Sequence, residues 1–422
     1  MIVLFSYHLD NKLEYAAKYI FEYRLGLPLH ITDDIEDFKH SKATCKINYS
    51  AAELASNLSI PNTNYFSDFR LETIPEIQEK LVSDKSHRLN IDILAACFFL
   101  LARVEEYNND SSDSHGRYPS SSSELSKRGL IEIPVIDYWI QALALLLTED
   151  GLTSIKRPNY TFESTIDIDH FFAFKHKPFV IRTGSVIRDV LKLDASRLKD
   201  RWSVQDPYDR VSDMLDIHDE LEIKPTVFVL TSERGKYDKN IHPDDKIFSE
   251  KVKGIKSRAQ IGVHPSYESS KSLELINTQK RKLESISGTV IQASRQHFLR
   301  LSLPATYRAL LETGIEHDYS MGYADTLGYR AGTSVPFYWY DLEKDITTKL
   351  LIHPFQIMDV TLKNYLQLSP EEAIQKSESI IHHNKVVSGQ TCVIWHNSSF
   401  YANEGWAGWE TTYKQLLSLA KA

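Results

Sequence analysis

The chain is short of cysteine: only Cys45, Cys97 and Cys392 occur among 422 residues, in separate segments and without CxxC spacing. So sparse and odd a set builds neither a disulfide framework nor a structural zinc knuckle. No run of 18 apolar residues exists, and no membrane span is expected. The opening stretch, MIVLFSYHLDNKLEYAAKYIF, lacks the basic start, the continuous apolar run and the small-residue cleavage site of a signal peptide. A reducing, cytoplasmic setting is the expectation from these three absences. Lys/Arg-rich runs are missing too, and a formal charge of −8 with a pI near 6.1 argues against a nucleic-acid partner.

What is present is ordinary for a globular protein, with 42% hydrophobic and 25% charged residues. The length exceeds what one core usually serves, so two domains are expected. The 22 tyrosines offer flat surface on which a sugar ring can stack, although most aromatic side chains of any domain belong to its core.

The N-terminal part opens with a strand-like apolar run, Ile2 to Tyr7. A helical pattern follows through Leu13, Ala16, Ala17, Ile20 and Phe21, with Gly26 as its stop. The most apolar helix pattern runs from Asp92 to Tyr107, and another spans Val135 to Leu147. Between them, residues 108–126 are rich in Ser, Asn, Asp and Gly and read as an exposed loop, whose Asp113, His115 and Arg117 are functional candidates set against the plainer reading of a solvated loop. A boundary is expected near residue 155, giving an N-terminal α/β unit over 1–155 and a second domain over 156–422. In the second part short β-type runs (TFESTIDID, PTVFVLTS, QIGVHPS, TVIQASRQHF, KLLIHPF, TCVIWHNSS) alternate with helical stretches. That alternation predicts a parallel sheet or barrel.

Several of these strands end in Asp, His or Arg. Ile166 leads into Asp167 and Asp169, Val263 into His264, Val290 and Ile291 towards Arg295 and His297, and Ile394-Trp395 into His396. In parallel barrels chemistry sits at the C-terminal strand ends, so these side chains are expected at one mouth. Asp167 and Asp169 stand two apart, which on a strand puts both carboxylates on one face. Two close carboxylates repel, and a cation is the common remedy. The plainer alternative is one Asp capping the next helix with the other solvated. Taken singly, His264 is more often a satisfied structural residue than a ligand, and His297 carries the same ambiguity. Two His and a carboxylate together make a catalytic metal set with positions left open. Arg295, two residues before His297, would share its strand face and can orient a carboxylate by a bidentate contact.

These residues resemble the motifs of the NodB-type polysaccharide deacetylases, over roughly residues 160 to 420. The resemblance implies a distorted (β/α) barrel preceded by a smaller α/β domain. Thr165-Ile166-Asp167-Ile168-Asp169 is similar to the family's Thr-Phe-Asp-Asp strand end with one residue inserted, which implies Asp167 as catalytic base and Asp169 as metal ligand. His264-Pro265-Ser266-Tyr267-Glu268 matches the first His of the family's His-Ser/Thr-x-x-His motif but not the second, so His297 or Glu268 would supply the third ligand. Arg295-Gln296-His297-Phe298 is similar to the Arg-x-Pro-Phe/Tyr motif whose Arg supports the base. Val393-Ile394-Trp395-His396 looks like the strand that carries the family's general acid, here His396. Tyr267, Arg330 and Trp395 are expected at the substrate.

The function so implied is hydrolysis of an N-acetyl group on an amino sugar or glycan precursor, assisted by one divalent metal ion, with zinc expected. One alternative is a catalytically degenerate relative that binds glycan or a partner without turnover. Another is a metal-free glycosidase using Asp167 and a second carboxylate, for which retaining enzymes need a separation of ~5 Å.

Overall fold

The computed structural model describes residues 1–63, 88–107, 111–149, 151, 155, 158–179, 183, 186, 189–191 and 195–422. Residues 156 and 157, where the boundary was expected, lie outside the described residues, as do 108–110 of the serine-rich loop.

Two sheets organise the described residues. The first is four-stranded and parallel, in the order β2-β1-β3-β4, with β1 Ile2–Phe5, β2 Leu29–Thr32, β3 Cys45–Asn48 and β4 Leu58–Ser59. The second has nine strands: β5 Thr161–Ile168, β6 Thr226–Leu230, β7 Gln260–His264, β8 Ala293–Ser294, β9 His317–Asp318, β10 Phe337–Asp341, β11 Ile346–Ile352, β12 Ile357–Met358 and β13 Gln390–His396. Its order is β10-β11-β9-β8-β7-β6-β5-β13-β12, and every pairing is parallel except the β10–β11 hairpin.

The sheet curls because of its connections. β11 lies near one edge and β12 forms the other, yet only residues 353–356 join them. At no more than ~3.5 Å per residue such a link spans roughly 17 Å, far less than a flat sheet of this width at ~4.8 Å per strand. The strands must therefore close towards one another, and the result is a distorted (β/α) barrel. Helices Val211–Glu220, Lys246–Lys256, Leu273–Ser287, Ala305–Glu312, Pro370–Val386 and Trp409–Lys421 alternate with the strands and cover the outside. Local signals fix several of them. Ser369 and Glu372 form a capping box behind Pro370, and Gly288 in the left-handed conformation ends the Leu273–Ser287 helix.

The strand expected at TVIQASRQHF shrinks to Ala293–Ser294, and a 3₁₀ turn at His297–Leu299 follows. Phe298 and Leu299 hold φ of +60° and +55°, a conformation that branched and bulky residues adopt only when their surroundings impose it.

The N-terminal part does not stand apart. Its helix Ile93–Leu101 is buried on every side, the pattern of a helix enclosed by other elements. Phe98 packs edge-on against Tyr340 of β10, and the same continuous core runs from Ile2 and Leu4 through Leu100 to Trp395 and Tyr413. Polar contacts cross the same seam. Asp137 accepts from Ser334 N and Oγ, both at 2.7 Å, while the backbone N of Tyr329 donates to Ile131 O at 2.8 Å. At Gly328, φ is +114° and a Cβ would come within 2.2 Å of the Ile131 carbonyl oxygen, so only glycine permits this approach.

Candidate active site and metal centre

Strand alternation decides what β5 sends into the barrel. Ser164, Ile166 and Ile168 face the helices: Ser164 lies 2.8 Å from His218 of Val211–Glu220, and both isoleucines join the main core. Glu163, Thr165 and Asp167 face inward. Arg295 is fully buried there, donating from Nη1 to Thr165 Oγ1 and Asp167 Oδ1, each at 2.7 Å, and from Nε to the Tyr319 carbonyl at 2.9 Å. Its guanidinium lies over the Phe228 ring at 4.6 Å. Gly262 of β7 makes room for that ring, since a Cβ there would meet it at 2.4 Å.

One step further along β5, Asp169 reaches the mouth. Its Oδ1 is 3.2 Å from His264 Nε2, and its Oδ2 is 3.6 Å from His297 Nε2 and 4.0 Å from His396 Nε2. One donor atom from each of Asp169, His264 and His297 falls within 4.8 Å of the others. Both histidines are oriented from behind. His264 Nδ1 donates to the Arg295 carbonyl at 2.6 Å, and His297 Nδ1 donates to Asp238 at 2.8 Å. A carbonyl and a carboxylate can only accept, so each Nδ1 carries the proton and each Nε2 is turned to the mouth. Asp169 Oδ1 is buried and has no hydrogen-bond partner among the described residues.

His396 follows the same plan. Its Nδ1 lies 2.7 Å from Asp359 Oδ1, and its backbone N donates to the other oxygen of that carboxylate at 2.8 Å. Burial works against a charge on this ring, but Asp359, aided by Asp169 and Asp167, lifts it to about 10. Burial likewise opposes charge on His297, and Asp169 with Asp238 lifts it to about 9. Burial would raise Asp169, yet the histidines around it hold its carboxyl well below the usual range. Without a cation, protons on imidazole balance the carboxylates; a divalent ion would have to displace them from the nitrogens it binds.

These groups line a cleft of about 210 Å³ together with the apolar side chains of Leu299, Ala324, Met358 and Val360. Glu268 is exposed and lies outside the donor cluster. Trp395, one residue before His396, falls on the other face of β13, where it is fully buried against Tyr413 (4.9 Å) and Trp409. Arg330 is equally remote from the cleft lining, because both oxygens of Glu106 hold its guanidinium in the seam between the N-terminal part and the barrel. Tyr267 stacks on Tyr237 at 4.1 Å and lies beneath the Arg300 guanidinium at 3.9 Å, flanking the loop after His264 without lining the cleft. For Trp395, Arg330 and Tyr267 the expected place at the substrate is therefore corrected.

The serine-rich loop is corrected as well, since it is packed on the barrel mouth. Arg117 lines the cleft, and its guanidinium donates to the Phe298 carbonyl at 3.2 Å and the Tyr365 hydroxyl at 2.9 Å. His115 lies 3.2 Å from the Tyr267 hydroxyl. Nothing in the composition of that loop distinguishes a packed strap from a solvated one. Asp238 and Asp359 were also passed over. Asp238 sits in a polar loop with no pattern, whereas Asp359 follows the apolar pair Ile357–Met358, the same strand-end signal that drew attention to the other residues. Gln296, buried at the cleft wall, has both carboxamide atoms without a partner among the described residues.

A family of unknown function (DUF7033) matches residues 2–151. No curated protein matches the chain. Among solved structures, the chain is similar to a Mycobacterium smegmatis protein classed as a polysaccharide deacetylase, at 14% identity over 63% of this chain and 85% of that one, with a TM-score of 0.41. It is also similar to a Bacillus cereus polysaccharide deacetylase, at 9% identity over 62% and 85% with a TM-score of 0.31. A third similar structure is a CE4-family pseudoenzyme from Bacillus anthracis, at 12% identity over 62% and 61% with a TM-score of 0.30.

Proposed function

We propose that this chain is a metal-dependent hydrolase that removes the acetyl group from an N-acetylated amino sugar, in a cytoplasmic glycan precursor. The observation that carries the reading is the convergence of Asp169, His264 and His297 with both histidine Nδ1 atoms already engaged. The donor set fits a divalent ion of the zinc class: two imidazole nitrogens, one carboxylate, and a buried Asp169 oxygen without a hydrogen-bond partner among the described residues. Held there, such an ion would supply Lewis acidity to an acyl oxygen and a lowered water pKa of ~7.

The remaining chemistry falls to side chains. Arg295 occupies Asp167 Oδ1 and leaves Oδ2 on the side of His264, 4.0 Å from its Nε2. Asp167 can thus take a proton from water as general base. His396, fixed through Nδ1 by Asp359, presents Nε2 to the cleft and can give a proton to the departing amine. The two are not at separate places in the barrel, for Asp167 and His396 are register partners on the adjacent strands β5 and β13. Their partners draw them apart instead, Asp167 towards Arg295 and His396 towards Asp359 beyond β12. The apolar side chains that line the cleft would receive an acetyl methyl.

Metal analysis of the purified protein, paired with acetate release from acetamido sugars, tests this. One equivalent of a divalent metal, lost in Asp169→Ala and His264→Ala together with acetate release, is expected. Metal bound without release from any acetamido sugar would leave only a glycan-binding role, and no metal would remove the hydrolase reading.

A further inference from the structure

The strap formed by residues 111–118 reaches the cleft through Arg117. Arg117 reaches both walls at once. One wall is the strained turn at Phe298 that follows His297; the other carries Tyr365, beyond the apolar wall residue Val360. The strap is braced internally, because Asp113 Oδ1 accepts from the backbone N of His115 at 2.8 Å and of Arg117 at 3.0 Å, and Asp113 Oδ2 accepts from Arg117 Nε at 2.7 Å. It is also pinned from the barrel, where Arg300 Nε donates to the His115 carbonyl at 2.8 Å and His115 packs on Phe298 at 4.8 Å between ring centres. With its donors committed to Asp113, Phe298 and Tyr365, Arg117 serves as a tie between the walls more than as a receptor for an anion.

A tie of this kind blocks a groove. Ligand pockets of ordinary size run ~300–1,000 Å³, and about 210 Å³ remains beside the metal donors. A polymer lying through the site would need the strap to lift, breaking both Arg117 contacts and those of His115. We propose that Arg117 determines specificity by closing the cleft on the strap side, so that the site admits a single acetamido-sugar residue, either a chain end or a monosaccharide conjugate, and excludes the interior of a polymer. The proposal rests on the deacetylase reading for the identity of the sugar, and it assigns the segment that matches a family of unknown function a part in substrate selection.

The test uses the full chain loaded with zinc and measures calorimetric affinity for N-acetylglucosamine and its β-1,4-linked dimer and tetramer, beside the sites of acetate loss in the tetramer. Affinities within about threefold across the three lengths, and acetate loss confined to one terminal residue, are expected. In Arg117→Ala the tetramer should gain at least about tenfold over the monosaccharide, with Arg117→Lys between the two. A merely structural role would weaken all three ligands alike, and that result would overturn the proposal. So would a tenfold gain with length in the unaltered protein, acetate loss from interior residues, or no binding at any length. Length-independent binding with no acetate release would sink the hydrolase reading and leave the size limit standing.

Discussion

The buried arginine–carboxylate clusters around Glu106 and around Asp167 differ in what they leave unsatisfied. Around Glu106, both oxygens are taken: Arg330 binds through Nε and Nη2, and Arg103 donates from Nε at 2.7 Å. Glu105 adds a second carboxylate to Arg103. Around Asp167, Arg295 takes one oxygen and leaves the other beside His264 and the cleft. The same pairing chemistry thus gives a sealed structural joint in one place and a carboxylate with spare capacity in the other. Burial and charge alone did not tell them apart. The count of unsatisfied acceptors does.

Substitution should separate the two most sharply. Asp167→Asn is expected to lower kcat by ~10²–10⁴ with metal content unchanged, as for loss of a general base. Glu106→Gln should instead destabilise the fold by ~3–5 kcal/mol, because it strands buried guanidinium charge, and kcat of the protein that remains folded should hardly move. Stopped-assay kinetics and denaturant melts on both variants check this, and a catalytic defect in Glu106→Gln equal to that of Asp167→Asn would erase the distinction.

Within the open cluster, the acid and its orienting partner should rank in order. His396→Ala is expected to cost ~10²–10⁴ in kcat, while Asp359→Asn, which only frees the ring, should cost ~10–100-fold. Near-normal turnover in a folded, metal-loaded His396→Ala protein would return His396 to a structural role.

The clusters should also respond to opposite ends of the pH scale. For Glu106, burial favours the neutral acid, but Arg330 and Arg103 overcome it and lower its carboxyl to about 2. Its contribution to stability is present above the usual glutamate value and fades as pH falls through about 2. His297 and His396 are lifted to about 9 and about 10 against the effect of burial, by Asp169 and Asp359 above all, so their contribution is complete below ~6.5 and fades as pH rises through those values. Melting of the metal-free protein should therefore weaken on the alkaline side from ~6.5 upward. Saturating zinc should flatten that limb for His297, whose proton the ion replaces, and leave the acid limb unchanged.

The smallest effect expected is a gain. Gln296→Met removes two buried polar atoms that lack partners among the described residues, and should raise stability by ~1 kcal/mol. An unchanged or lowered melting temperature would mean that the carboxamide is satisfied by water.

The strand ends were legible because apolar β-branched runs stop at polar residues: Asp167, Asp169, His264 and His396 each close such a run. His297 was legible only as a candidate, since the strand before it is two residues long and a left-handed turn follows. Arg330 misled because an arginine in a glycine-rich stretch reads the same at a mouth or in a seam. Its partner Glu106 is 224 residues away in sequence, a separation that no local pattern records. Arg117 was hidden for the converse reason, as serine-rich composition describes backbone preference and says nothing of what lies underneath.

The seam at Gly328 and Ile131 carries a consequence for how such a protein can be taken apart. A barrel cut free at residue 158 would keep its cleft donors, yet it would bare Tyr340, Trp339 and the other side chains that now share one core with Ile93–Leu101. It would also leave Arg330 and Ser334 without their carboxylates. Grafting another domain in front would not mend this, because the newcomer would need a backbone carbonyl where Ile131 now touches a position that only glycine can fill. The smallest portable unit is accordingly the two parts together, and in inheritance as in engineering they should travel as a pair.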